Sequence, residues 1–298
     1  LAGDIARQDS SRRFVQFRTL CILPTVDDPA LLFLHIPKTA GTTLNRIIEW
    51  QYNPLSIFTI DPYRIRATAE RLRTFSGERL RSLRVIRGHF YYGLHKVLPQ
   101  GGTYITILRN PVARTLSSYY FIQRRPLHPL HRKVKGGRIS VAEFIELTRH
   151  RQNLQCSLIA GVKSKTGADA QTLELAKDHL SKTFSVVGIA ERFEESLILM
   201  AKVFGWEVPY YENHKVTKDR PPPDPAEVEL IREHNHLDME LYEFGKSLFQ
   251  AALEKRKAEV EEGLARLHSL EKPASLATFY NAALGAGRFL LSKVASAI

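Results

Sequence analysis

LLFLHIPKTAGTTLNRIIEWQ, residues 31–51, joins a strand-like apolar run from Leu31 to His35 to a turn of small residues around Ala40 and Gly41. A helical period follows through Leu44, Ile47, Ile48 and Gln51. The pattern predicts strand, loop, helix in that order. Thr103-Tyr104-Ile105-Thr106-Ile107-Leu108 is the clearest β-branched strand in the chain, and it too runs straight into a helix, with Pro111 near the first turn, where a missing N–H costs nothing. A third unit couples Phe184–Ile189 to a helix from Phe193 to Phe204, and a basic helical stretch from Tyr63 to Phe75 leads to the short run Arg84-Val85-Ile86. Short buried strands alternating with helices specify the α/β class, with a central parallel sheet covered on both faces in three layers, α/β/α.

The composition agrees with a folded chain. Of 298 residues, 44% are hydrophobic and 25% charged, which excludes a mostly disordered or fibrous protein and leaves ample length for a core. Lysine and arginine outnumber aspartate and glutamate by 43 to 31, a formal charge of +12. That balance draws anionic partners without choosing among nucleic acid, membrane surface, acidic polysaccharide and phosphorylated cofactor. Cys21 and Cys156 are the only cysteines, too few for a disulfide framework or thiolate cluster, and both are read as reduced and structural. No run approaches the roughly 20 apolar residues of a spanning helix. The expectation is a soluble cytoplasmic protein, with the proviso that the chain begins at Leu1 rather than Met, which leaves room for a leader or anchor upstream.

Residues 1–30 read as a polar lead-in, 31–250 as the α/β domain and 251–298 as a helical C-terminal extension. Two segments interrupt the strand–helix rhythm. Arg124 to Arg138 is dense in positive charge, Pro and Gly and is expected to be an exposed loop, either simply solvated or in contact with an acidic acceptor. Asn213 to Pro225 is a second loop, after which Asp224-Pro225-Ala226-Glu227 predicts a capping box opening a helix that runs from Glu227 to Leu267. The stretch Leu276 to Ile298 is apolar on one side and is expected to pack on the domain or on a second subunit rather than on a membrane surface.

Two motifs carry chemistry. His35-Ile36-Pro37-Lys38-Thr39-Ala40-Gly41-Thr42-Thr43 lies between a strand and a helix, where free amides and the positive end of a helix dipole suit a phosphate. Gly41 and Ala40 permit close approach, Lys38 adds a charge, and Thr42 and Thr43 add hydroxyl donors. The spacing is wrong for a Walker A loop, which places Lys directly after the second Gly. The second motif, Leu108-Arg109-Asn110-Pro111 through Ser117 to Phe121, again joins a strand end to a helix. In parallel sheets ligands collect beyond the carboxyl ends of the strands, so Arg109 and the first loop would face one crevice, with Arg109 gripping a phosphate bidentately and Ser117 adding a hydroxyl.

Together with Arg87-Gly88-His89-Phe90-Tyr91-Tyr92-Gly93, Gln152-Asn153-Leu154-Gln155 and the stretch from Val187 to Leu197, these motifs resemble the sulfotransferases that use 3′-phosphoadenosine 5′-phosphosulfate (PAPS), in particular the family containing heparan sulfate 2-O-sulfotransferase and its bacterial relatives. The likeness spans roughly residues 31–245 and keeps the family's order and approximate spacing. It implies a P-loop-like three-layer α/β/α fold, PAPS as donor with 3′-phosphoadenosine 5′-phosphate (PAP) as product, no metal, and a hydroxyl acceptor on an acidic or neutral glycan. Residue by residue, it implies that Lys38, Thr39, Ala40, Gly41, Thr42 and Thr43 hold the 5′-phosphosulfate, with Lys38 on the bridging oxygen. Arg109 and Ser117 match the 3′-phosphate pair, and His89 matches the general base. Lys215 and Lys218 match a weaker segment near the nucleotide. The family's heparan sulfate members carry His-x-His where this chain has Arg87-Gly88-His89, a departure that leaves one base and argues against a heparan-type acceptor.

Other readings are a P-loop-type phosphotransferase and a basic nucleic-acid-binding module. The loop spacing opposes the first, and the second needs aromatic residues free on a basic face, whereas Tyr119-Tyr120-Phe121 reads as part of a helix packed on the sheet. His95 is a second candidate base by proximity alone. His234-Asn235-His236 is an i,i+2 pair whose side chains would diverge on a helix, which is no metal spacing.

Overall fold

A computed structural model of the chain describes residues 28–163, 167–208 and 223–270. Among the described residues five strands form the sheet: β1 (Ala30–Leu34), β2 (Ile57–Ile60), β3 (Val85–Gly88), β4 (Gly102–Leu108) and β5 (Phe184–Ile189). The helices are α1 (Gly41–Gln51), α2 (Ile65–Arg73), α3 (Gly77–Arg81), α4 (Pro111–Gln123), α5 (His131–Val134), α6 (Val141–Leu147), α7 (Leu154–Ala160), α8 (Ala170–Lys182), α9 (Phe193–Phe204), α10 (Pro225–His234), α11 (His236–Lys255) and α12 (Lys257–Ser269).

All strand pairings are parallel, in the order β2-β3-β1-β4-β5. The expected P-loop-like α/β sheet is therefore present, with the first strand at its centre. Every residue of β1 is buried, which is what a continuous apolar run flanked by parallel neighbours requires. The chain leaves β1 toward β2 on one side and later crosses to β4 on the other, so the carboxyl ends of β1, β3 and β4 adjoin at a topological switch point. Register completes the placement: Leu34 pairs with Gly88, which brings His35 beside His89. Gly88 has φ +132°, and a Cβ there would stand 2.7 Å from the Ile60 carbonyl oxygen, so no other residue fits that turn.

Several expectations change in detail. The helix expected from Glu227 to Leu267 is three helices, broken at Asn235 and Arg256. Asp224 does cap α10, accepting from the Ala226 amide at 2.8 Å, but the reciprocal arm from Glu227 that a capping box requires is not formed. The segment from Arg124 to Arg138 is not simply an exposed loop. It contains α5, with His131 and Val134 buried in a second core among α4, α6 and α10, and His131 Nδ1 bonds the Ile122 carbonyl at 2.9 Å. Position 250 falls inside α11, which packs on β5 and α8, and α12 follows it onto α9. Among the described residues no helix is long and apolar enough to cross a membrane. Cys156 is free and buried. Cys21, most of the lead-in, Lys215, Lys218 and Leu276–Ile298 lie outside the described residues.

Candidate active site

The loop between β1 and α1 is built for its position. Lys38 (φ 74°) and Ala40 (φ 63°) are both left-handed without being glycine, each costing about 1–2 kcal/mol. Alternating left-handed residues turn successive amides to one side, the arrangement that holds anions in backbone nests. Thr39 braces the turn from within: it is fully buried and its hydroxyl donates to the Ile36 carbonyl at 2.9 Å, so only its backbone is left for a ligand. Helix α1 then begins at Gly41, with no side-chain cap from Ala40 and no acidic residue in its first turn, so the first turn itself does not answer the positive end of the helix.

Around this loop the structure gathers the side chains from the other strands. Arg109, one residue past β4, donates from Nη1 to the Lys38 carbonyl at 2.9 Å, and its Nε lies 3.9 Å from Glu191. Its backbone is clamped by Gln155, which accepts from the Arg109 amide at 3.1 Å and donates to the Arg109 carbonyl at 2.9 Å. The two sequence motifs therefore share one crevice. Helix α4 starts with Pro111 in its first turn and Asn110 accepting from the Val112 and Ala113 amides. Its residues Ser117 and Phe121, one turn apart, share a face, and Lys38 Nζ sits 4.1 Å from the Phe121 ring centroid. Ser117 is buried on that face.

His89 stands one residue past β3. Its Nδ1 lies 2.5 Å from the His35 carbonyl oxygen, and the two imidazoles are 4.4 Å apart. A carbonyl only accepts, so Nδ1 carries the proton and Nε2 presents a lone pair. Burial, the largest cause, pushes the His89 pKa below the ordinary 6.5; the carbonyl bond opposes this and the charge of Arg151 assists it. His35 is the supporting residue that sequence reasoning did not single out. Its ring stacks on Phe33 and fills the space over Gly41, where a Cβ would come within 2.1 Å. The signal was available only as a histidine directly preceding the loop.

Arg87 is structural. It is 9% exposed and donates to Thr59 Oγ1 at 3.0 Å, to the Asn45 carbonyl at 2.8 Å and to Glu49, fastening β3 to β2 and α1. His95 is engaged elsewhere: its Nδ1 meets the Tyr104 hydroxyl at 2.9 Å near the start of β4, the opposite end of that strand from Arg109. Tyr119 packs in the second core and donates to the Ile139 carbonyl at 2.7 Å, so it is not offered for stacking on a base. Among the described residues no group of three or more His, Cys, Asp or Glu could hold a metal ion.

Comparison with known proteins adds the family. The sequence model of the Galactose-3-O-sulfotransferase family matches residues 22–274. Galactose-3-O-sulfotransferase 3 of Bos taurus is 26% identical over 272 residues, covering 79% of this chain and 62% of the relative. Heparan sulfate 2-O-sulfotransferase 1 of Gallus gallus is 24% identical over 197 residues, 58% of this chain and 54% of the relative. The chain thus spans between half and two thirds of these curated relatives. Among solved structures, a mouse sulfotransferase complexed with PAP aligns with TM-score 0.38 and 18% identity, over 70% of this chain and 63% of that one.

Proposed function

This chain belongs to the galactose-3-O-sulfotransferase family, and from that premise we propose that it transfers a sulfuryl group from PAPS to a hydroxyl of a glycan, releasing PAP. The residues present suit a doubly phosphorylated nucleotide. An uncapped helix start, a nest of loop amides and Lys38 would form one anion site, and Arg109, which bonds the Lys38 carbonyl, would form another, with Ser117 of α4 as its proposed partner. When bound, the nucleotide supplies the activated sulfuryl group.

The rest is work for the chain's own side chains. Lys38 and the loop amides offset the charge that grows on the departing phosphate, the contribution that is usually largest. Leaving its seat on Phe121 costs Lys38 a cation–π contact of about 0.5–2 kcal/mol, which an anionic ligand readily outweighs. Arg109 and Ser117 hold the 3′-phosphate, and the Gln155 clamp keeps Arg109 from drifting. His89 accepts the acceptor's proton at Nε2. Because its pKa is lowered, the ring is neutral and ready to do so at pH 7. Lys215 and Lys218 are further candidate contacts to the nucleotide. A galactoside-type hydroxyl is the acceptor that the family suggests, and the structural duty of Arg87 supports a single-histidine base.

The observation that carries this reading is the His89–His35 bond, which presents a base nitrogen beside a phosphate-type loop. The test is transfer of radiolabelled sulfate from PAPS to a panel of β-galactosyl and uronate-containing oligosaccharides. Label should reach at least one glycan with the wild-type chain and fall at least about a hundredfold with His89→Ala. Transfer undiminished in His89→Ala, or PAP binding without transfer to any member of the panel, would refute it.

A further inference from the structure

A narrow cavity of about 30 Å³ opens beside the Lys38 loop, with Pro37, Arg114, Ser118, Thr148, Arg151 and Asn235 in its wall. That is roughly two to three times the room one water needs, enough for a single oxyanion group but not for a sugar ring.

Its charge is not balanced. Arg114 is 4% exposed, and its Nη2 lies 3.7 Å from Asp238 and 3.5 Å from Asn235 Oδ1. Its Nε is buried with no hydrogen-bond partner among the described residues, a group that ordinarily costs about 1–3 kcal/mol to leave unmet. Asp238 is itself shared with the Gln155 and Cys156 amides. Arg109 and Arg151 both act on Arg114, lowering its pKa together with the dominant effect of burial. Glu191 and Asp238 answer Arg109 and Arg114. Arg151 meets no carboxylate within ion-pair distance among the described residues, so one guanidinium charge stands in excess at an accessible position.

The place of the cavity identifies the ligand. Pro37 in its wall is two residues along the chain from His35, whose carbonyl holds His89, where an acceptor hydroxyl has to lie to lose its proton. In the sulfotransferase reading the loop and the Arg109–Ser117 pair answer the two phosphates of the nucleotide. We propose that the Arg114–Arg151 cavity seats an anionic substituent, a carboxylate or a sulfate ester, of the acceptor glycan, with Arg151 as the residue that selects acidic over neutral acceptors. The proposal rests on the sulfotransferase reading and adds to it an acceptor class and a specificity residue.

The experiment is calorimetry on the PAP-saturated chain with three disaccharides: neutral N-acetyllactosamine, its 6-O-sulfated form and a glucuronate-bearing disaccharide. At least one charged ligand should bind about tenfold or more tighter than the neutral one, the worth of a charged hydrogen bond. The two charged arms tell sulfate from carboxylate. Arg151→Gln should erase that preference while leaving PAP and neutral-disaccharide affinity unchanged, and Arg151→Lys should retain part of it. Because Arg151 is exposed, both variants should unfold at the wild-type temperature. A wild-type chain with no charge preference, or a preference that survives Arg151→Gln, overturns the proposal. So does an Arg151→Gln variant whose PAP affinity falls by the same factor, which would assign the cavity to a nucleotide phosphate. PAP binding without charge preference sinks only the cavity, whereas absent PAP binding sinks the sulfotransferase reading and the cavity with it.

Discussion

His89 donates a hydrogen bond from Nδ1–H to the main-chain carbonyl of His35 at 2.5 Å, so the neighbouring strand fixes which ring nitrogen can accept a proton. The bond follows from strand register, since Leu34 pairs with Gly88 and the next residue of each strand must meet.

That relationship has a pH signature. Burial lowers the His89 pKa below 6.5, so the basic form persists to more acidic pH than for a solvated histidine. Activity should be lost as pH falls through this lowered value. The acid limb of kcat/KM is expected below pH 6.5, and a limb at or above 6.5 would contradict the assignment. His89→Ala should keep PAP affinity while kcat drops about 10²–10⁴-fold.

Gly41 tests the same contact from the other side. An added methyl would stand 2.1 Å from the His35 ring, which has Phe33 and His89 on its flanks. Gly41→Ala should therefore displace His35 and cost about 1–3 kcal/mol through overpacking. Its kcat should fall about tenfold or more, because the base loses its support. Denaturant unfolding and steady-state kinetics read the two effects separately. An unchanged kcat in a destabilised variant would show that His35 does not position His89.

Asp238 concerns stability rather than chemistry. It is fully buried, accepts from the Gln155 amide at 3.1 Å and the Cys156 amide at 2.8 Å, and faces Arg114. Asp238→Ala leaves that guanidinium buried and uncompensated and should destabilise by about 3–5 kcal/mol in urea unfolding. A loss under 1 kcal/mol would mean that α4, α7 and α11 are held together by apolar packing alone.

Sequence patterning exposed β1, β4, β5 and their following helices because each strand is a short apolar run and each helix start carries a local signal. Strand β2 went unseen: Ile57–Ile60 is four residues at the sheet edge with Thr59 exposed, too short for periodicity to register. The break at Asn235 was equally hidden. No Gly or Pro marks it, and its cause is distant, since the Asn235 side chain accepts from the Asn153 amide 82 positions away. For the site, the meeting of the Lys38 loop with Arg109 follows from motif order. The tautomer of His89, the service of His35 and the charge excess at Arg151 depend on contacts between segments far apart in sequence, and no linear pattern encodes them.

The most direct measurement is titration calorimetry of PAP into the wild-type chain, Lys38→Ala and Arg109→Ala. The wild type should bind, and each variant should bind about tenfold or more weakly, the worth of a charged hydrogen bond to phosphate. Equal affinity in all three would show that the loop after β1 and the arginine after β4 do not share one nucleotide.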